Sequence, residues 1–187
     1  MTDTPLAAHE HAEHAEHAAH ENNPFISRVS ITIAILAVVA AIAGSLETYE
    51  SGGAIIAANE AVLHQDQATD QWNFFESKSL KKNLYSLAAD NGGAKADAYK
   101  AKAKDESKGQ DEAQAKAKEL EADSAKDRAA SAQHEHRHHW LSLAATLLEM
   151  GIAISTIAII TRRQIAWLAS VGLGLAGAAV GAIAYLT

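Results

Sequence analysis

The residues best suited to chemistry are histidines and one acid. The chain has 10 histidines, and all but His64 fall in two clusters. The first is an N-terminal tail carrying His9, His11, His14, His17 and His20 in a His-Ala-Glu repeat. On a helix, steps of three set His11, His14, His17 and His20 along one face, a donor set for Zn²⁺, Ni²⁺ or Cu²⁺. The bias of the repeat equally fits a disordered, low-complexity tail. The second cluster is His134-Glu135-His136-Arg137-His138-His139. Here His134 and His138 stand one helical turn apart and could share a metal, as Glu135 and His139 could pair. The plainer alternative is an interfacial polar belt that exchanges protons near neutrality. No cofactor is otherwise demanded.

Glu149 is the ionisable residue set well inside an apolar run. Intramembrane acids are costly and mark functional sites. It lies roughly two turns into its run, within reach of interfacial water, with Arg137, His138 and His139 as candidate partners. No nucleophile–base arrangement and no phosphate loop stands out, so an enzyme is not expected. Gly172-x-Gly174-x-x-Gly177 has the spacing of a dinucleotide fingerprint, but no strand precedes it. Packing glycines are the better reading.

These residues are positioned by three apolar runs, Val29–Leu46, Leu141–Ile160 and Ile165–Leu186. Each is about 20 residues, enough to cross a hydrocarbon core of about 30 Å. The mean hydropathy of −0.10 averages these runs with a very polar remainder. The net charge of −7 argues against nucleic acid as a partner. With no cysteine, disulfides and thiolate sites are excluded. Ala41-Ile42-Ala43 resembles a signal-peptidase site, but the region before it is acidic and long, so the first run is expected to be retained. The expected fold is all-α and transmembrane. It comprises a tail (1–23), span 1 (24–46), an extramembrane segment (47–140), span 2 (141–161) and span 3 (165–186).

The extramembrane segment reads as a coiled-coil-like antiparallel helical hairpin. Asn91-Gly92-Gly93 is its strongest turn signal and divides it into arms of similar length. If straight, the hairpin would stand on the order of 60–70 Å from the bilayer. Gly52-Gly53 is expected to break the first arm near its base. The second arm is rich in Ala, Lys, Glu and Asp and should run unbroken into span 2. Glu112–Lys116 and Asp123–Lys126 are spaced as intrahelical ion pairs. A register pivoting on Gly92 sets Tyr85 opposite Tyr99, Phe75 opposite Gly109, and Trp72 near Glu112 and Ala113. The resulting seam, with Ala98, Ala103, Ala113, Ala117, Leu120 and Ala129 from the second arm, buries little area. Such a hairpin is marginal alone, so close packing of the arms or a homo-oligomer is expected.

Each span carries a stripe of small or weakly polar residues at steps of four and three. These are Ser30, Ala34, Ala37, Ala41 and Gly44; Ser142, Thr146, Glu149, Ala153 and Thr156; and Ser170, Gly174, Gly177, Gly181 and Ala184. Helix–helix packing is the main reading and a transport path the alternative. Phe25, Tyr49, Trp140, Trp167 and Tyr185 sit near span ends as interface anchors. Arg28 precedes span 1 and Arg162 and Arg163 fill the short loop after span 2. Long loops translocate largely regardless of charge, so a cytoplasmic N-terminus and an exported hairpin are favoured.

Asn59-Glu60-Ala61 and the segment from Ala68-Thr69-Asp70-Gln71-Trp72 to Lys78-Ser79-Leu80-Lys81 resemble a family of bacterial membrane proteins classed only as a domain of unknown function. Gly151-Ile152-Ala153, Thr161-Arg162-Arg163 and Trp167 are similar to that family too. The resemblance runs from about Arg28 to the C-terminus. It implies a retained first span and three spans in all, and it brings no activity, cofactor or functional residue. The expected location is the bacterial cytoplasmic (inner) membrane. Asp70, Gln71, Trp72, Phe75 and Lys78 are expected at the hairpin seam or as a patch for a protein partner. Two functions are therefore expected as alternatives. One is a non-enzymatic homo-oligomeric scaffold in the lipid bilayer. The other is a metal- or pH-responsive transporter or channel using the His clusters and Glu149.

Overall fold

A computed structural model describes residues 23–186. The His-rich tail, with His11, His14, His17 and His20, lies outside them. Three α-helices occupy the described residues: α1 (Pro24–Asp90), α2 (Ala96–Thr161) and α3 (Gln164–Ile183). Each has a stretch long and apolar enough to cross a membrane. The described residues form two compact units, one from residues 23–54 with 132–186, the other from 55–131.

Local chemistry explains the helix ends. Asn23 caps α1, its Oδ1 accepting the Phe25 N–H at 3.0 Å, and Pro24 fills the first helical position, where a missing N–H costs nothing. The α1–α2 turn uses Gly92 and Gly93 at φ +77° and +101°, backbone that side chains disfavour. Between α2 and α3 the same left-handed region is taken by Arg162, at φ +51°. Gly52 and Gly53 do not break α1 as the sequence reading expects; the helix runs through both. A glycine costs a helix only about 1 kcal/mol, and α1 continues well beyond the pair on either side.

In the first unit the apolar stretches of the helices pack around Val29, Ile33, Leu36, Ala37, Leu148, Ile152 and Ala158. The α3 stripe does what its spacing predicts. Ser170, Gly174 and Gly177 are buried, and a Cβ on Gly174 would overlap Leu36 of α1. One on Gly177 would come 2.9 Å from Leu148 Cγ and 3.0 Å from the Ala144 carbonyl. Gly181 meets Ala144 at an ordinary 3.5 Å. The glycines are thus sockets for leucines of the other two helices. Hydroxyls reinforce the packing. Ser155 Oγ donates to Ser170 Oγ (2.8 Å), which donates to the Trp167 carbonyl (2.7 Å). Trp167 Nε1 donates to Thr32 Oγ1 of α1 (3.0 Å).

The other two stripes hold only in part: in span 1 Ser30 and Ala37 are buried as the stripe expects, but the rest of it is not. Gly44 has nothing within 4 Å of its would-be Cβ, and Ala34 and Ala41 are exposed. In span 2 Thr146, Glu149 and Ala153 face outward, while Leu141, Ala144, Leu148, Ile152 and Ser155 face inward. The α3 face thus receives Leu36 and Leu148 at its glycines, with the small residues Ala144, Gly151 and Ser155 of α2 packed against it between them.

In the second unit α1 and α2 residues meet in opposite order. Ser124 Oγ donates to the Ala61 carbonyl (2.8 Å), Lys78 pairs with Glu106 (2.9 Å), and the Tyr85 and Tyr99 rings stack at 6.2 Å. These contacts keep the register pivoting on Gly92. The contact layer is Ala57, Ala61, Ala68, Ala113, Ala117, Leu120 and Ser124, all buried. Ala98 and Ala129 are exposed instead. Two details differ because long helical side chains lean toward their own N-termini. Trp72 Nε1 donates to Glu121 (2.8 Å), well past Glu112. Lys78, not Phe75, covers Gly109, and Phe75 packs edge-on against Trp72 at 5.5 Å. Lys116 pairs with Glu119 at 2.9 Å, not with Glu112.

Candidate functional site: a buried glutamate at the end of the apolar helix bundle

Among the described residues of the first unit, a polar constellation centres on Glu50, four residues beyond the first apolar run. Its side chain is 2% exposed. Three groups from two other segments surround it. His134 Nδ1 of α2 lies 2.5 Å from Oε2. Arg137 Nη1, also of α2, is 3.8 Å from Oε1. Tyr185 Oη, in the turn after α3, donates to Oε1 at 3.2 Å. A carboxylate taken out of water is tolerable only when its oxygens are engaged in this way. The Arg137 guanidinium also stands 5.3 Å from the Tyr185 ring centroid, a cation–π contact.

Gly53 makes room for the arrangement. A Cβ there would lie 2.9 Å from His134 Nδ1 and 3.0 Å from Cε1. One turn toward the apolar run, His138 Nδ1 approaches the Glu47 carbonyl oxygen at 3.4 Å and its carboxylate at 3.9 Å. His134 and His138 are therefore turned to separate glutamates. Among the described residues, no group of three or more His, Asp or Glu side chains is set to hold a metal ion.

Two of the three candidate partners of Glu149 are engaged elsewhere, Arg137 with Glu50 and His138 with Glu47, and His139 is exposed. Glu149 itself is exposed on the outer face of α2, with Thr146 and Ala153 beside it. Of the first-arm patch, Asp70 is exposed, Gln71, Trp72 and Phe75 are half-buried, and Lys78 is drawn inward by Glu106.

Glu50 and Tyr185 are absent from the sequence-derived site. A signal was available, because a register pivoting on Gly92 places residue 134 opposite residue 50. A groove lies beside the cluster, lined by Ala132, Gln133, His136 and Arg137 of α2 and by Tyr185 and Leu186, with a volume of about 570 Å³.

A domain family described only as of unknown function (DUF4337) matches residues 25–187. No curated protein and no solved structure matches the chain.

Proposed function

The chain belongs to the DUF4337 family, and from that premise we propose that it is a non-enzymatic, multi-pass membrane protein that self-associates and displays a helical hairpin as a scaffold or interaction module. The observation that carries this reading is the outward face of α2, where Glu149 is exposed between Thr146 and Ala153 in an otherwise apolar stretch. A charged side chain facing hydrocarbon is costly, up to about 2.5–3.5 kcal/mol at a span centre and less toward the interface. A second copy presenting the same face replaces lipid with carboxyl, hydroxyl and small-residue contacts.

The second unit supports the same reading independently. Its contact layer is mostly alanine, while α1 exposes Ile55, Ile56, Val62, Leu63, Phe74, Leu80, Leu84 and Leu87. Leu80, Leu84 and Leu87 share one helix face. A lone two-helix unit gains nothing from leaving that face in water, whereas a bundle of hairpins buries it. In this reading the membrane is the bacterial cytoplasmic membrane, the N-terminus faces the cytoplasm and the hairpin is exported. Native mass spectrometry from mild detergent tests the assembly: a defined homo-oligomer is expected, and a stable monomer overturns it.

A further inference from the structure

The groove beside Glu50 has no part in the self-association reading. We infer that it is a binding site for the headgroup of an anionic phospholipid, an inference that rests on the membrane-spanning reading of the first unit. Depth is the first reason. The groove sits where α2 meets its apolar run at Leu141 and where the chain leaves α3 after Ile183; Tyr185 lines it and Trp140 packs edge-on against its lining residue His136. Aromatic residues of this kind mark the level of the lipid headgroups.

Charge is the second reason. Arg137 is held on one edge by Glu50 and against the Tyr185 ring, while its side chain keeps 30% of its exposure. The carboxylate that fixes it is turned inward and 2% exposed. The guanidinium thus arrives at the groove oriented, with its remaining N–H donors available to a phosphodiester, which a planar fork matches in pairs. Gln133 and His136 add polar groups along the same wall. Leu186, 82% exposed, closes the other side with apolar surface. A cationic wall with an apolar neighbour fits a headgroup still attached to its acyl chains, and basic pockets between membrane helices are used in this way.

The test is native mass spectrometry of the full chain released from membranes and offered phosphatidylglycerol and phosphatidylcholine in equal amounts. The wild type should retain phosphatidylglycerol by about fivefold, the preference one basic side chain confers at an anionic surface. The double variant Glu50→Gln/Arg137→Gln removes the guanidinium without orphaning the acid and should bind both lipids equally. Ala132→Trp fills the groove with the charges left in place and should do the same. Arg128→Gln, in the second unit, should keep the preference. Unchanged preference in both groove variants overturns the site. Displacement of the lipid by inorganic phosphate at equal concentration also overturns it, identifying a free-anion site. Retention in carbonate-washed membranes separates the two readings: a retained protein without lipid preference refutes only this site, and a released one refutes the membrane reading as well.

Discussion

The imidazole of His134 rests against Gly53, its Nδ1 2.5 Å from the carboxylate of the buried Glu50. Two adjacent glycines should therefore respond oppositely to the same change. Gly52→Ala meets nothing within 4 Å and should stabilise α1 by about 0.5–1 kcal/mol through helix propensity. Gly53→Ala must displace the His134 ring and should destabilise, despite the same propensity gain. Denaturation of the purified protein in detergent measures both.

Removing His134 should be costlier than a surface change. His134→Ala leaves Glu50 with the 3.8 Å arginine contact and the tyrosine hydroxyl, and should cost about 1.5–3 kcal/mol, the range for a hydrogen bond to a charged group. His139→Ala, on an exposed neighbour, should fall within about 0.5 kcal/mol of wild type.

In α3 the glycines should rank by what surrounds them. Gly177→Ala drives a methyl against the Ala144 carbonyl and the Leu148 amide nitrogen, backbone that cannot step aside, and should cost about 1–3 kcal/mol. At Gly174 the obstacle is the end of the Leu36 side chain, which can change rotamer, so Gly174→Ala should cost less. Gly172→Ala meets nothing within 4 Å and should be neutral or stabilising. The same unfolding assay orders the three.

How much of this was legible depended on whether a residue's role was local. The turn at Gly92 and the α3 stripe were legible because glycine is required by positive φ in one and by close approach in the other. The span 2 stripe points to the outward face, and the span 1 stripe is right only at Ser30 and Ala37. Alanine, serine and threonine are common on both faces of membrane helices, and the packed faces are instead set by Leu36 and Leu148, which fill the α3 sockets. Glu50 was missed because an acid just beyond an apolar run reads as a solvated end. Its burial depends on His134, Arg137 and Tyr185, all far away in sequence.

In the second unit Leu84→Lys/Leu87→Lys changes two exposed residues. It should leave the helix content of the chain unchanged while weakening its self-association, read by circular dichroism and by light scattering in mild detergent. Loss of helix content would instead place these leucines in the fold of the single chain.

Topology has its own test. A cysteine replacing Asn91, in a chain with none of its own, should react with a membrane-impermeant maleimide in intact cells with a permeable outer envelope. Labelling only after lysis would reverse the orientation.

The central claim is that the outward face of α2 meets a second copy. Oxidative crosslinking of single-cysteine variants in native membranes tests it most directly. Ala153→Cys, beside Glu149 on that face, is predicted to give an efficient covalent dimer, while Leu175→Cys, also exposed but on α3, gives little. Absence of a dimer at position 153, or equal yields at both positions, would contradict it.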